Sequence, residues 1–176
     1  MSDGLIHLYI GDGKGKTTAA VGLAARASGR GRRVVFAQFL KGRKTGEVLS
    51  LKKLGVLVLR SEKNKGFFCS MNEEQRIDFR AEQLKLLNEI QEIAFSETTQ
   101  ADLLILDEAL DLYDLNMIDE EALREFMLKK PERMELVLTG RGAPDWLQEK
   151  ADYITEMKKR KHPYDRGVNG REAIEY

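Results

Sequence analysis

The chain has 176 residues, with 29 basic and 29 acidic side chains and a hydrophobic content of 42%. That length suits one unit, residues 1–176, with a sizeable core, and the absence of net charge argues against a dedicated nucleic-acid binder, whose surface carries a positive excess. The lone cysteine, Cys69, excludes an internal disulfide framework, and no apolar run is long enough for a membrane span or patterned as a signal peptide, so a cytoplasmic protein with neither nucleic-acid nor membrane partners is expected.

Residues 5–10 read as a first apolar strand, and a helix is expected over residues 19–27. Between them lies Gly11-Asp12-Gly13-Lys14-Gly15-Lys16-Thr17-Thr18. Strand, glycine-rich turn and helix in that order make a phosphate cradle. The glycines let several backbone N–H groups converge on an anion, the helix N-terminus adds partial positive charge, and Lys16 adds a full one. Thr17 is placed to offer its hydroxyl to a magnesium ion. A nucleoside triphosphate is the expected ligand. The loop is one residue shorter than the usual GxxxxGK[ST] spacing, because only three residues separate Gly11 from the Gly15-Lys16 pair.

Residues 34–39 read as the second strand, residues 47–54 as a short helix stopped by Gly55, and residues 56–59 as a third strand. Gln38, Lys41, Gly42 and Arg43 follow the second strand at the same sheet edge as the phosphate loop. They are candidates for substrate contact or simply a solvated connection. Gly66-Phe67-Phe68-Cys69 puts two adjacent aromatics in a loop, where core packing is the plain reading. Residues 72–95 form the clearest helix, with Ile77, Ala81, Leu84, Leu87, Ile90 and Ala94 at three- and four-residue steps and Asn72 with Gln75 as an N-cap pair.

The run 103–106 is continuously apolar, as expected for a strand buried on both faces, and it ends in Asp107-Glu108. Carboxylates at the tip of a buried strand, in a chain with a phosphate loop, read as the acidic partner of Thr17 around magnesium. Spacing does not choose between the two. Residues 119–129 are helical, with Asp119 as cap, and residues 136–138 are a strand leading into Thr139-Gly140-Arg141-Gly142, a turn that can bind an anion. A short helix over 145–150 and an edge strand over 153–157 follow. The basic run 158–161 then reads as a solvated end or an anion contact. His7 reads as a packing residue inside the first strand. Strands alternating with helices give an α/β fold with a mostly parallel central sheet, its ligands at the carboxyl ends of the strands.

Taken in order, these segments resemble the P-loop type of ATP:corrinoid adenosyltransferases. The likeness runs through the short loop, Ala24-Ala25-Arg26-Ala27, Gln38-Phe39-Leu40-Lys41-Gly42, Gly46-Glu47, Leu106-Asp107-Glu108, Thr139-Gly140-Arg141-Gly142, Lys161-His162 and the ending Ile174-Glu175-Tyr176. It implies a three-layer, RecA-like P-loop NTPase fold. It also implies transfer of the 5′-deoxyadenosyl group of ATP to cobalt(I) of a corrinoid, with release of inorganic triphosphate, in adenosylcobalamin biosynthesis or salvage. Cobalt(I) carries no proton, so no general base is expected; Lys16 and Thr17 act by stabilising the leaving triphosphate. ATP is expected on Gly11, Asp12, Gly13, Lys14, Gly15, Lys16, Thr17, Thr18 and Arg26, with Arg26 near the nucleoside. Mg2+ is expected on Thr17, Glu108 and Asp107, with the resemblance favouring Glu108. The corrinoid is expected on Phe67, Phe68, Gln38, Lys41, Glu47 and Arg141. Phe67 falls where the family presses an aromatic on the lower corrin face, and Cys69 stands where a tryptophan is common. Relatives often carry an N-terminal extension, whereas only Met1 to Gly4 precede the first strand here, so any cover it provides over the site is expected to be missing or to come from elsewhere. A flavoprotein is the candidate electron donor, and a homodimer is implied. The competing readings are a P-loop kinase or ATPase and a nucleotide-dependent corrinoid-delivery module.

Overall fold

The computed structural model describes residues 3–41, 45–61, 68 and 71–175. Six strands, β1 (Ile6–Ile10), β2 (Val34–Gln38), β3 (Leu57–Arg60), β4 (Leu103–Asp107), β5 (Glu135–Thr139) and β6 (Tyr153–Glu156), form one sheet in the order β3-β2-β4-β5-β1-β6. Every pairing is parallel. The helices are α1 (Lys16–Ser28), α2 (Gly46–Lys53), α3 (Glu73–Ala94), α4 (Ala109–Asp114), α5 (Glu120–Leu128) and α6 (Asp145–Lys150), with a 3-10 turn at Pro163–Arg166.

The strands alternate between two cores, which is what makes three layers. On β2, Val34 and Phe36 pack with Ala20 and Ala24 of α1 and Leu51 of α2. Val35 and Ala37 face the opposite way, into the larger cluster with Phe79, Leu86 and Ile90 of α3 and Leu123 and Phe126 of α5. On β4, Ile105 joins the first core while Leu104 and Leu106 join the second, and all three are completely buried. Such strands carry no polar face because both sides are covered. Each fully buried side chain of this kind contributes roughly 1.5–3 kcal/mol.

The edge strand β6 is exposed along its whole length, as expected from the charges that follow it. The expected helix over 19–27 begins three residues earlier, so Lys16, Thr17 and Thr18 form its first turn and their N–H groups face the loop. The third strand lies one residue later than expected. In α3 the capping box of Asn72 and Gln75 is complete in both directions, and the helix spans the expected length. Its buried stripe overlaps the expected one: Leu87, Ile90 and Ala94 face inward as expected, joined by Phe79, Gln83 and Leu86, while Ile77 is 65% exposed. The apolar pattern admits two neighbouring faces, and Phe79 with its ring decides between them.

Strand order sets the site. β5 lies between β1, which leads into the phosphate loop, and β4, which carries the acids. The ends of β1, β5, β4 and β2 therefore open onto one edge. The chain beyond β6 runs against the phosphate loop: Gly13 N–H donates to Met157 O at 2.6 Å, and Lys159 N–H donates to Asp12 Oδ1 at 2.9 Å. A Cβ at Gly13 would stand 2.6 Å from Met157 O, which is backbone and cannot swing aside. Gly13→Ala is expected to destabilise the fold by about 2 kcal/mol through this overlap. A thermal melt should register it as a loss of roughly 4–8 °C in Tm; an unchanged melt would contradict the close approach.

Candidate active site

Each functional group stands where a strand ends. β1 gives way to the loop, whose Gly11 (φ +113°) and Gly15 (φ +119°) occupy backbone conformations that favour glycine. Gly15 caps α1 without a side-chain bond, leaving the first-turn N–H groups for an anion. Lys16 arches over the loop, donating to Gly11 O at 2.6 Å and Gly13 O at 2.9 Å. Burial pushes its pKa down, against the pull of Asp111; the nearby Arg141 adds to the depression. Lys14, by contrast, pairs with Glu175 near the C-terminus at 3.1 Å.

Asp107 is completely buried at the tip of β4 and collects four donors. Thr17 Oγ1 donates at 2.9 Å to Oδ1, Thr139 Oγ1 at 2.8 Å to Oδ1, Gln38 Nε2 at 3.1 Å to Oδ2 and Lys41 Nζ at 3.0 Å to Oδ2. Glu108 follows at φ +63°, a left-handed conformation costing a non-glycine residue roughly 1–2 kcal/mol. The bond from its N–H to Thr139 Oγ1, at 2.9 Å, helps hold that turn. Its carboxylate thereby meets Lys41 Nζ at 3.1 Å. Burial pushes the Glu108 pKa up, Lys41 partly offsets this, and Asp107 reinforces the rise. For Lys41, burial favours the neutral amine, but Asp107 and Glu108 outweigh it and the pKa lies above the usual lysine value.

Thr17, Asp107 and Glu108 are thus brought together, as the sequence leads one to expect. All three offer hard oxygen ligands suited to Mg2+, and a cation, the Lys41 ammonium, already stands among them. Among the described residues there is no group of three or more histidine, cysteine or carboxylate side chains arranged to hold a metal. The site instead combines two carboxylates with a hydroxyl.

The other expected residues divide. Gln38 is completely buried behind the carboxylates, bridging Asp107 to Glu47 at 3.2 Å. Lys41 faces the same carboxylates. Arg141 stands at the end of β5, its N–H bound to Asp111 Oδ1 at 3.0 Å and its carbonyl accepting from Gly11 N–H at 3.0 Å. Arg26 lies ten residues beyond Lys16 on α1, roughly 15 Å along the axis, in a surface cleft with Arg30 and Arg32. Phe68 packs against Phe79 of α3 and lies under the Arg76 guanidinium. Phe67, Gly42, Arg43 and Cys69 lie outside the described residues. His7 is a packing residue, bonded to Glu135 and stacked on Tyr153.

The sequence has counterparts among known proteins. The sequence matches the family described as ATP:corrinoid adenosyltransferase BtuR/CobO/CobP over residues 2–176. The chain belongs to that family. The corrinoid adenosyltransferase of Escherichia coli K12 is 30% identical over 176 residues, covering 98% of this chain and 86% of that protein. The Pseudomonas aeruginosa corrinoid adenosyltransferase is 29% identical, with 98% and 84% covered, and one from Sinorhizobium sp is 33% identical, with 98% and 80% covered. In this family member the sequence motifs coincide with the ends of β1, β2, β4 and β5, the four strands around the site.

Two features escaped the sequence, and a third took another task. Thr139, expected in a turn that can bind an anion, orients Asp107 and Glu108 together through its hydroxyl. Asp111 on α4 fixes the Arg141 backbone, and burial pushes its pKa up against that N–H bond; nothing in its spacing marks it. Gln83 sits in the core and accepts Leu40 N–H at 3.2 Å, fixing the corner that delivers Lys41.

Proposed function

We propose that the chain binds ATP with its polyphosphate on residues 11–18 and Mg2+ on Thr17, Asp107 and Glu108, and that it moves the 5′-deoxyadenosyl group onto a corrinoid. Family membership makes it a transferase of ATP and a corrinoid in cobalamin metabolism. In the proposed step the electron pair of cobalt(I) in the substrate forms a bond to C5′. The C5′–O bond breaks, and its electron pair leaves with triphosphate. No proton moves in that exchange.

The single observation that carries this reading is the commitment of the acids. Asp107 accepts from four donors and Glu108 is paired with Lys41, so both acids are committed to the cation position beside Thr17, whether Lys41 or Mg2+ fills it, and neither serves as a base for an acceptor. A kinase or hydrolase needs a group to position or deprotonate its acceptor. This site instead offers cations and amides to an anionic leaving group. Bound magnesium would neutralise charge on the polyphosphate oxygens. Lys16 and the first-turn amides of α1 hold the same oxygens, with Arg141 near Lys16 after the end of β5; Arg26 stands at the far end of α1 beside Arg30 and Arg32, away from this edge of the sheet. Phe67 and Phe68 supply the aromatic contact to the corrinoid. We extend the proposal to a homodimer served by a flavoprotein reductant.

The test is product analysis. Protein, ATP, Mg2+ and chemically reduced cobalamin should give the adenosylcobalamin absorbance change with one triphosphate per turnover. ADP with orthophosphate and no organocobalt product would overturn the proposal. Phe67→Ala is expected to spare turnover with pre-reduced cobalt(I) and to slow it when cobalt(II) must be reduced on the protein. Parallel losses in the two assays would contradict the aromatic assignment.

A further inference from the structure

Lys41 stands in an unusual place for a residue at a substrate-facing strand end. Its Nζ lies 3.0 Å from Asp107 Oδ2, 3.1 Å from Glu108 Oε1 and 3.3 Å from Thr17 Oγ1. Those are the three side chains assigned above to a divalent cation. The ammonium is a positive charge at the shared focus of all three. Its side chain is 24% exposed, so water screens it little.

The backbone is built to bring it there. Leu40 adopts φ +57°, turning the chain back immediately before Lys41. Gln83 Oε1 accepts Leu40 N–H at 3.2 Å, and an Arg60 guanidinium nitrogen donates to Lys41 O at 3.0 Å. Two side chains from separate elements thus hold the backbone just before and just after the left-handed corner. A flexible surface lysine would need neither.

We infer that Lys41 is the resident cation of this site, holding Thr17, Asp107 and Glu108 in the geometry of a metal site and yielding its place to the divalent ion that arrives with nucleotide. The inference rests on the proposed reading of those three side chains as a magnesium site. Two cations cannot share one focus of oxygen ligands at about 3 Å, because their repulsion is strongest where the surroundings exclude water. Free metal therefore competes with a tethered ammonium and binds weakly. Metal carried on a polyphosphate brings its own negative charge, to which the displaced ammonium can turn. The lysine so couples metal entry to nucleotide entry, a positioning role rather than contact with the reacting carbon.

The experiment is manganese binding, followed by the loss of the free-ion electron paramagnetic resonance signal in the whole protein, with and without ATP and without corrinoid. In the absence of nucleotide, Lys41→Met should bind Mn2+ roughly tenfold more tightly than the wild type, because the competing ammonium is gone. Lys41→Arg should stay weak. The gain should vanish when Glu108→Gln is added to the methionine variant. Added Mn2+ should also raise the Tm of Lys41→Met more than that of the wild type. Lys41→Gln gives the same comparison should the methionine variant not fold. Equal nucleotide-free affinity in wild type and Lys41→Met, with ATP-dependent Mn2+ binding that still needs Glu108, would overturn the lysine's role and leave the metal site standing. Mn2+ binding indifferent to Glu108 in every protein would overturn both.

Discussion

Lys16→Ala is expected to lower kcat by about 10²–10³-fold, the loss found when one preorganised donor to a developing charge is removed. The reason is positional. Lys16 is the loop's own ammonium, held over the backbone by Gly11 O and Gly13 O and flanked by the first-turn amides of α1. As C5′–O cleaves, negative charge grows on the oxygen leaving with triphosphate, and a cation there stabilises the transition state more than bound ATP. The effect should therefore fall on kcat more than on KM for ATP. Stability should change little, because the side chain is only half-buried and its two bonds to carbonyls contribute roughly 1 kcal/mol each. Steady-state kinetics with pre-reduced corrinoid, beside a thermal melt, separates the two. Wild-type turnover in the variant would remove Lys16 from the chemistry.

Asp107→Ala should show the opposite balance, with a large loss of stability as well as of activity. Four donors converge on this one completely buried carboxylate. Removing it leaves the Gln38 amide and two threonine hydroxyls short of an acceptor, and it leaves the Lys41 ammonium with one carboxylate, Glu108, in place of two. Breaking a buried ion pair from one side costs about 3–5 kcal/mol. Lys41 keeps some exposure, so the lower end of that range is expected, roughly 3 kcal/mol. In a chain of this length that is a Tm loss of about 6–12 °C. Chemical denaturation should give a lower midpoint with an unchanged slope. Asp107→Asn keeps the shape and should recover part of the stability while activity stays low. A variant as stable as the wild type would show that the four donors find other partners.

The two variants divide the site between its halves. Lys16 belongs to a loop that forms from neighbouring residues, and its proposed role is readable in the order glycine, lysine, threonine after a strand. Asp107 belongs to a knot of side chains drawn from β2, β4, β5 and α1. Its importance depends on partners that are 32 to 90 residues away in sequence.

By itself the amino-acid order determined what local chemistry controls. The loop and its lysine, the doubly buried strand ending in two acids, and the caps of the long helix all follow from backbone conformation, hydrogen-bond supply and side-chain period over short stretches. Motifs spread along the chain also fixed the family. The periodicity found the C-terminal half of the buried face of α3, and tertiary structure decided the rest, where Phe79, Gln83 and Leu86 are buried and Ile77 and Ala81 are exposed. It decided that β5 lies between β1 and β4, which puts Thr139 beside both acids. It also made α4, six residues launched from a left-handed Glu108 whose N–H is held by Thr139. And it turned Gln38 and Lys41 from surface candidates into the inner support of the carboxylates. These outcomes share one cause: each depends on which distant groups share a dry space, and burial and charge pairing act through space, whereas periodicity and spacing record only neighbours along the chain.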